Sequence, residues 1–422
     1  MSVAKNFFKF YYRLRAGTLT SRLKILATDC YLFFLDSRFK LLKQARSDKD
    51  LVRCSELLDE LYRAHSGNVV VARYLLPLSA DLGLTEMAHS LGICYLKSVI
   101  RTDINVFLND IRLYITPILG NVSVDYNFSG GNENIGSIIC KSTDGHILSF
   151  GKIIPMESYS SREVEFYKSF IVKHPSLKSK VPEIYCVYDS PYRVSIIFMQ
   201  PLNQEGFLKK RIGRPVVSIN SIIESISYSD VKQFFSEIHL DYSKPFGRIF
   251  HLRTGCRYAM SEIQLGFSKT PSPEVHGILL SLEMVFLHSH AYRLIDLEDH
   301  YSLCHNDFNW RNIHFENEVC KVYDWTTFSI GLRGWDMAIY FSDCAFTFSE
   351  IYDLYITVRF DLTSRKDQIG LLFFCFSLLL NIARRERGNC NSKLDGYFKP
   401  ALRLIQDTHK RINGGRSGAN SY

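Results

Sequence analysis

The stretch HNDFNWRN, residues 305–312, decides how this sequence is interpreted. It places Asp307 two residues after a histidine and Asn312 five residues after Asp307. Twelve residues further on, the apolar segment VCKVYD (319–324) ends in Asp324. Two carboxylates and a carboxamide at this spacing can supply a proton acceptor and oxygen ligands for a hard cation. Taken alone, each of the three side chains could equally be a satisfied polar group of a loop.

The combined spacing favours phosphoryl transfer, which requires few parts. Such an enzyme needs a phosphate cradle, a cation on the phosphate oxygens, Mg²⁺ ligands, and a carboxylate that accepts the proton of the attacking hydroxyl. Asp307 is the predicted base, and Asn312 and Asp324 are the predicted Mg²⁺ ligands. His305 is interpreted as a buried histidine that holds the loop backbone rather than as an acid or base.

The segments that would hold a nucleotide precede this stretch. The Gly-rich turn SGGNENIG (129–136) lies between two strand candidates, where backbone N–H groups could approach phosphate oxygens. Its predicted contacts are Gly130, Gly131 and Asn134. By itself the turn is a weak signal, because hairpins are often rich in glycine. The segment MQPL (199–202) ends the last strand candidate and is predicted to bind adenine through Met199, Gln200 and Leu202.

A lysine and a glutamate complete the predicted phosphate site. Lys152, in LSFGKII (148–154), is predicted to reach the phosphates from a strand, although a lone lysine is usually a surface residue. Glu163 opens the next helix candidate and is predicted to pair with Lys152 and hold it. Glu165 is the alternative partner.

Hydrophobic periodicity divides the chain into four regions. Residues 1–117 are predicted to be helical, either as a tetratricopeptide-like region or as a plain helical bundle. Residues 118–200 alternate and carry Gly-Gly and Asp-Gly, which predicts a small β-rich lobe. Residues 201–410 are predicted to form a larger helical lobe, and residues 411–422 a disordered tail rich in Gly and Ser. The predicted fold class is therefore α+β, with two lobes after an all-α region.

The two motifs of the helical lobe resemble those of a known family. HNDFNWRN and YDW are similar to the catalytic and metal motifs of the aminoglycoside phosphotransferase and choline kinase family, which has a protein-kinase-like two-lobe fold. GLRGWDMA (331–338) is similar to the segment in which an aspartate opens a helix after the metal loop. The resemblance covers residues 120–385, approximately.

Several expectations follow from this resemblance. It implies ATP and Mg²⁺ as cofactors, with Asp307 as the catalytic base and Asn312 and Asp324 as metal ligands. It also implies that Lys152 and Glu163 form a phosphate-contacting ion pair. Asp336 would be structural and would brace the metal loop.

The sequence also departs from the family pattern, and the departures leave the acceptor open. Asn306 stands where glycine is common, and residues 203–300 match no segment of the family. The basic run LKKRIGR (208–214), together with Arg248, Arg253 and Arg257, favours an anionic acceptor if it lines the site; these side chains could equally face solvent. The predicted function is an ATP- and Mg²⁺-dependent kinase of a hydroxyl on a small molecule, sugar or glycan.

Two other readings are open. The first is a catalytically silent pseudokinase scaffold that binds nucleotide and holds a protein partner through its N-terminal helices. The intact set of Lys152, Asp307, Asn312 and Asp324 argues against it. The second is a protein kinase, which is disfavoured because no segment ending in Ala-Pro-Glu follows Asp324.

Composition places the protein in a reducing compartment. The net charge of +8 over 422 residues is too modest to indicate nucleic-acid binding. Eleven dispersed cysteines without a CxxC pair indicate reduced thiols and a cytoplasmic protein, and we expect no signal peptide. Residues 1–16 are predicted either to lie on an anionic membrane surface or to pack on the protein itself. The apolar run 369–383 is too short to span a bilayer and is predicted to be a core helix.

Overall fold

The computed structural model describes most of the chain, in segments given by residues 28, 31–33, 35–65, 67–128, 135–156, 161–201, 212–238, 250–269, 271–316, 319–344, 346–386 and 388–414. The chain forms two compact units. The first consists of Met1–Ser158 and Tyr185–Pro201, and the second of Tyr159–Ile184 and Leu202–Tyr422. The N-terminal segment 1–16, which carries the membrane prediction, lies outside the described residues.

The first unit begins with successive helices separated by short turns. They are α1 (Arg38–Asp48), α2 (Leu51–His65), α3 (Val69–Asp81), α4 (Thr85–Ile100) and α5 (Ile104–Leu119). The N-termini of α3 and α5 are capped by the side chains of Asn68 and Asp103. Asn68 accepts hydrogen bonds from the N–H groups of residues 70 and 71, and Asp103 accepts one from Asn105. The helices between residues 38 and 119 agree with the predicted helical content over that part of the region, whereas the tetratricopeptide-like arrangement stays a prediction.

A five-stranded sheet completes the first unit. Its strands are β1 (Ser123–Asn127), β2 (Ser137–Lys141), β3 (Ile147–Pro155), β4 (Ile184–Asp189) and β5 (Val194–Met199), in the order β1-β2-β3-β5-β4. β1 pairs antiparallel with β2, β2 with β3, and β3 with β5. Helices and sheet share one hydrophobic core, which includes Leu57, Leu75, Leu91, Phe107, Ile138 and Ile196.

Gly136 shows how closely the helices approach the sheet. Its φ of +120° lies in a region that residues other than glycine rarely adopt. A Cβ at this position would lie 2.2 Å from the ring of Tyr126. The Tyr126 hydroxyl donates to the carbonyl oxygen of Ile135 at 2.8 Å. On the other side, a Cβ on Gly92 of α4 would lie 2.5 Å from the same hydroxyl. Two glycines therefore make room for one buried tyrosine between helix and sheet.

The second unit is mainly helical. Its first helix, α6 (Ser161–Glu165), continues through a π-helical turn (Phe166–Phe170) into Ile171–Lys173, and α7 (Pro175–Lys178) follows. The longer helices are α8 (Arg214–Glu224), α9 (Tyr228–Glu237), α10 (Arg253–Gly266) and α11 (Pro273–Glu283), with the short α12 (Leu297–His300) after them. The C-terminal part contains α13 (Trp335–Asp343), α14 (Phe348–Ile351), α15 (Arg365–Glu386) and α16 (Lys399–Gly414).

Two small antiparallel pairs lie within this helical unit. β6 (Tyr301–Cys304) pairs with β9 (Ser329–Leu332), and β7 (Ile313–Glu316) pairs with β8 (Val319–Val322). The catalytic stretch of the sequence runs from the end of β6 to the start of β7. The α+β class, with a β-rich part followed by a larger helical part, is confirmed.

Helix α15 is the core of the second unit. Among the described residues it is the one helix long and apolar enough to cross a membrane, and 83% of its most apolar 18-residue window is buried in the protein. It therefore has the burial of a core helix, as predicted for residues 369–383.

One prediction about the C-terminus needs correction. Residues 411–414, assigned to a disordered tail, continue helix α16, because Ile412 is buried at 3% exposure and extends the apolar face of that helix. Residues 415–422 lie outside the described residues.

Candidate active site

Asp336 anchors the loop that carries the catalytic stretch. It lies in the first turn of α13 and is 1% exposed. Its carboxylate accepts one hydrogen bond from the N–H of His305 at 2.7 Å and another from the N–H of Asn306 at 2.8 Å. The backbone of the chain that leaves β6 is therefore tied to helix α13. This is the bracing role implied for Asp336 by the resemblance.

Burial changes the acidity of this anchor. Burial raises the pKa of Asp336 to about 7 because it disfavours the charged form. The two N–H donors act in the opposite direction, since they favour the carboxylate, but their effect on the pKa is smaller. The nearby carboxylates of Glu224 and Asp307 raise the pKa further.

A second buried carboxylate supports the start of α13. Glu224, at the end of α8, accepts hydrogen bonds from the N–H of Gly334 at 2.5 Å and from the side-chain amide of Asn220 at 2.9 Å. Its other oxygen pairs with the Arg359 guanidinium at 3.3 Å. The turn before Asp336 is thus hydrogen-bonded to Glu224, which is itself ion-paired with Arg359.

The backbone of Asn306 explains why asparagine can stand where glycine is common. Its φ is +66°, in the left-handed region that asparagine tolerates better than most residues. Its side-chain amide donates to the carbonyl oxygens of Cys304 and Thr327 and to the hydroxyl of Ser329, at 3.0–3.2 Å. The amide therefore joins the ends of β6 and β9, a function that glycine could not perform.

His305 is fully buried, as the sequence predicted. Its Nδ1 accepts a hydrogen bond from the N–H of Asp307 at 3.3 Å, and its Nε2 lies 2.7 Å from the carbonyl oxygen of Tyr323. A backbone donor on one nitrogen and a backbone acceptor on the other select the neutral tautomer protonated at Nε2. The histidine therefore links the catalytic loop to the segment before Asp324, and both ring nitrogens are committed.

Asp307 is exposed and is oriented by two carboxamides. Asn309 donates to its Oδ1 at 2.8 Å, and Asn312 donates to its Oδ2 at 2.9 Å. The Asn312 amide also donates to the main-chain oxygen of Asp307 at 2.8 Å. The two neutral donors, one on each oxygen, fix the rotamer of the side chain. An exposed, oriented carboxylate is suited to accept a proton from a hydroxyl group.

The β7–β8 hairpin brings Asn312 and Asp324 together. Ile313 pairs with Val322, and the next pair outward is formed by the N–H of Tyr323, which donates to the carbonyl oxygen of Asn312 at 2.8 Å. Asp324 follows directly with a left-handed φ of +59°. Asn312 and Asp324 therefore lie at the same end of the hairpin, and Asp324 comes one residue after the position opposite Asn312.

These side chains fit the donor set of a magnesium ion. Because the Asn312 amide nitrogen is committed to Asp307, its oxygen is the atom left for a cation. Asp324 follows at the same end of the hairpin, and carboxylate and carboxamide oxygens are hard ligands of the kind that Mg²⁺ selects. Among the described residues, no group of three His, Cys, Asp or Glu side chains could hold a metal ion.

Glu163 contacts the segment that follows Asp324. It is fully buried on α6, and its carboxylate accepts hydrogen bonds from the N–H of Trp325 at 3.2 Å and from the Thr326 hydroxyl at 2.8 Å. The Thr326 hydroxyl also lies 2.6 Å from Oδ1 of Asp324. The Phe166 ring stacks on the Trp325 ring at 4.2 Å. The helix that bears Glu163 is therefore packed and hydrogen-bonded against the segment that follows Asp324.

The predicted nucleotide contacts belong to the other unit or lie outside the described residues. Lys152 is on β3, Met199 ends β5, and Gln200 follows it, all in the first unit. Glu163 is in the second unit, so its pairing with Lys152 stays a prediction. Outside the described residues are Gly130, Gly131, Asn134 and Leu202.

Sequence reasoning missed several residues of the site. Asn309 and Thr326 were not singled out, although each lies two residues from a predicted functional aspartate and could have been found by that spacing. Glu163 was assigned only to Lys152. Its contacts with the segment after Asp324 join positions 162 and 163 apart in the chain, and no local pattern signals them.

Comparison with known proteins gives structural likenesses alone. No protein-family model and no curated protein matches the sequence. The structure is similar to that of a choline kinase from Cryptosporidium parvum Iowa II, with TM-score 0.40 and 14% identity over 73% of this chain and 97% of that chain. It is similar to a choline/ethanolamine kinase family protein from Mesorhizobium loti, with TM-score 0.39 and 15% identity over 72% of this chain and 98% of that chain.

A third solved structure is an antibiotic kinase. This spectinomycin phosphotransferase, in complex with ADP and spectinomycin, has TM-score 0.38 and 12% identity over 72% of this chain and 98% of that chain. At this level of similarity the pairs share a fold at most, so the residues of this chain are the evidence for its chemistry.

Proposed function

We propose that this protein is an ATP- and Mg²⁺-dependent kinase that phosphorylates a hydroxyl group of a small molecule, sugar or glycan. The observation that carries the proposal is the joint arrangement of Asp307, Asn312 and Asp324. An exposed carboxylate is oriented by a carboxamide, and that carboxamide lies on the ladder that ends in a second carboxylate.

The proposed roles follow from the contacts of each side chain. Asp307 accepts a hydrogen bond from the acceptor hydroxyl and takes its proton as the phosphoryl group is transferred. Asn312 holds Asp307 through its amide nitrogen and offers its amide oxygen to the cation, as Asp324 offers its carboxylate. When bound, Mg²⁺ would neutralise charge on the phosphates of ATP.

The surrounding residues keep this arrangement in place. Asp336, His305 and Asn306 fix the loop before Asp307 through backbone contacts, and Glu163 fixes the segment after Asp324. Lys152 is proposed to contact the phosphates, and Met199 and Gln200 the adenine. Such a site acts chiefly by positioning the reactants and stabilising charge, since little covalent chemistry falls to the protein.

The first experiment is phosphoryl transfer by the purified full-length protein. It uses γ-labelled ATP, Mg²⁺ and a pool of polar metabolites and saccharides. The wild type should place label in a soluble product, and Asp307→Asn should lower transfer by roughly 100- to 10,000-fold. Nucleotide affinity of this variant should stay within a few-fold of wild type. Asp299→Asn, which changes an exposed acid paired with Lys366, is the matched control and should transfer as wild type does.

The possible outcomes separate the readings. Near-normal transfer by Asp307→Asn would remove that residue as the base. Loss of Mg²⁺-dependent ATP binding in Asp324→Ala is expected, and unchanged binding would contradict its role as a ligand. A wild type that binds Mg²⁺ and ATP but labels none of the pool would favour the scaffold or an acceptor outside the pool. A wild type that does not bind ATP would refute the kinase.

A further inference from the structure

Arg311 lies in the catalytic stretch, and the proposed roles do not use it. It follows Asp307 by four residues, within the 3₁₀ turn Trp310–Asn312, and its side chain is exposed. Its guanidinium has no ion pair and no hydrogen bond with any residue in the part of the chain that the structure describes. An exposed arginine without a partner is common on protein surfaces, so its surroundings decide whether it has a role.

The side-chain amide of Asn309 ties Arg311 to the proposed base. Its nitrogen donates to Oδ1 of Asp307 at 2.8 Å, and its oxygen accepts from the N–H of Arg311 at 2.9 Å. Because a single amide group joins the two, the backbone nitrogen of Arg311 lies within about 8 Å of that carboxylate oxygen. A molecule the size of a sugar can therefore contact Asp307 with a hydroxyl and Arg311 with another group.

Trp310 holds the Arg311 side chain in place. The guanidinium carbon lies 5.3 Å from the centroid of the Trp310 ring, which is a cation–π contact. The N–H of Trp310 donates to the carboxylate of Asp343, and that carboxylate is ion-paired with Arg385. The charge of Asp343 is therefore offset by another arginine. A stacked guanidinium keeps its N–H groups free at its edge, where they match the oxygens of a carboxylate or phosphate.

A second exposed arginine follows the segment that contacts this part of the fold. The Tyr340 hydroxyl, on α13, donates to the carbonyl oxygen of Ile212 at 2.8 Å. Its ring centroid lies 6.2 Å from that of Phe308, in the catalytic stretch. The same turn of α13 thus contacts the catalytic stretch and the end of the basic run 208–214. Arg214, which closes that run, is exposed and has no ion pair with the described residues.

We propose that the phosphate acceptor carries an anionic group, a phosphate or a carboxylate, and that Arg311 binds this group while the acceptor hydroxyl lies at Asp307. The charges support this assignment, because an anion approaching Asp307 and the phosphates of ATP is repelled unless a cation offsets them. A cationic acceptor would instead be repelled by the unpaired guanidinium. The identification of the bound anion as the acceptor rests on the proposed function, whereas the anion-binding role of Arg311 does not.

The first test measures binding through the fluorescence of Trp310. Of the three tryptophans in the chain, Trp325 and Trp335 are buried, at 0% and 3% exposure, whereas Trp310 is partly exposed. A ligand at Arg311 should therefore change the emission of Trp310 in the full-length protein. The probes share one sugar ring and differ in charge: glucose, glucosamine, glucuronate and glucose 6-phosphate.

The wild type should bind an anionic probe roughly 10-fold more tightly than glucose, as expected for a charge-assisted contact at an exposed site, and should bind glucosamine no better than glucose. Arg311→Gln should lose this preference, and Arg311→Lys, which keeps the charge without the planar fork, should keep part of it. The control is Arg403→Gln, at an exposed arginine of α16 without an ion pair among the described residues, and it should bind as wild type does. Tighter binding of glucose 6-phosphate than of glucuronate would identify a phosphate site, and the reverse a carboxylate site.

The second test is phosphoryl transfer from γ-labelled ATP to a metabolite pool that has been separated by anion exchange. The wild type should label the anionic fraction. Arg311→Gln should lower that labelling roughly 10-fold, while its affinity for ATP stays that of wild type.

The outcomes distinguish this inference from the proposed function. Anionic probes that bind no more tightly than glucose, or a preference that survives in Arg311→Gln, would overturn the inference. Label confined to the neutral or cationic fractions would also overturn it and would leave the kinase in place. Weaker ATP binding by Arg311→Gln would assign the residue to the nucleotide instead. If anionic probes bind through Arg311 but no fraction is labelled, the anion site stands and the proposed function fails.

Discussion

Replacing Asp336 with asparagine removes the charge of this side chain and keeps its size, so the variant tests whether the charge is needed to hold the loop at His305 and Asn306. The carboxylate accepts two backbone N–H donors, from His305 and Asn306. An amide of the same size keeps one acceptor oxygen and turns an N–H₂ group toward the other donor. One buried N–H loses its partner, which costs roughly 1–3 kcal/mol at neutral pH. We expect Asp336→Asn to unfold at lower denaturant concentration and to lose transfer activity, because Asp307 follows the anchored residues directly.

The sign of the pH dependence follows from the raised pKa. The pKa of Asp336 is about 7 in the folded state, whereas the ordinary pKa of an aspartate is 3.8. Between these values the folded state binds more protons than the unfolded state, so stability falls as pH rises. The contribution of this group should fall by about 2–3 kcal/mol between pH 5 and pH 8.

Urea denaturation at pH 5, 6, 7 and 8 measures this contribution directly. The difference in unfolding free energy between wild type and Asp336→Asn should change by that amount across the series. Asp407→Asn, on the exposed face of α16, is the control and should run parallel to wild type. If Asp336→Asn also runs parallel to wild type, then the two N–H donors outweigh burial, and the reasoning about the anchor is wrong.

Three further substitutions probe the backbone and the ion pair that support the site. Gly136→Ala should lower the free energy of unfolding of the first unit in urea by several kcal/mol, since its Cβ would meet a tyrosine ring. The control is Gly145→Ala, at a φ of +85° with no atom within 4 Å of the added Cβ, which should cost only about 1–2 kcal/mol of that free energy. Asn306→Gly should be less harmful than Asn306→Ala in thermal unfolding, because both lose the amide contacts but glycine keeps the left-handed backbone; equal losses would contradict the role of φ. Arg359→Met should cost about 3 kcal/mol by leaving the Glu224 carboxylate buried without its cation, and adding Glu224→Gln should recover part of that loss.

The local features of the site could be predicted from the sequence because they depend on short separations. The apolar segment before Asp324 forms β8, and the pairing of that strand with β7 places Asn312 beside the end of the segment. The burial of His305 and the position of Asp336 at the start of a helix were predicted in the same way, from residue type and spacing. The chemical roles of Asp307, Asn312 and Asp324 stay predictions until the variants are measured.

Long-range packing could not be predicted from a single sequence. Glu163 is aligned with the segment after Asp324 by the tertiary position of α6, and neither end of that contact has a pattern that points to the other. The left-handed backbone of Asn306 could have been suspected from its replacement of glycine, but its three hydrogen bonds depend on the pairing of β6 with β9. The shared core of the N-terminal helices and the sheet likewise has no local signature.

The path of the chain through its two units limits how the protein can be divided. The chain leaves the first unit after Ser158, returns at Tyr185 for β4 and β5, and leaves again after Pro201. A fragment that ends at residue 158 would therefore lack two strands and would present β3 as an open edge, with unpaired N–H and C=O groups that invite aggregation. A ribosome must release β4 and β5 before the sheet can close, and by then the helix that bears Glu163 has already emerged. Truncation at residue 117 or 200 is thus unsuited to isolating either half, whereas a circular permutant that joins the separated segments would keep each unit whole.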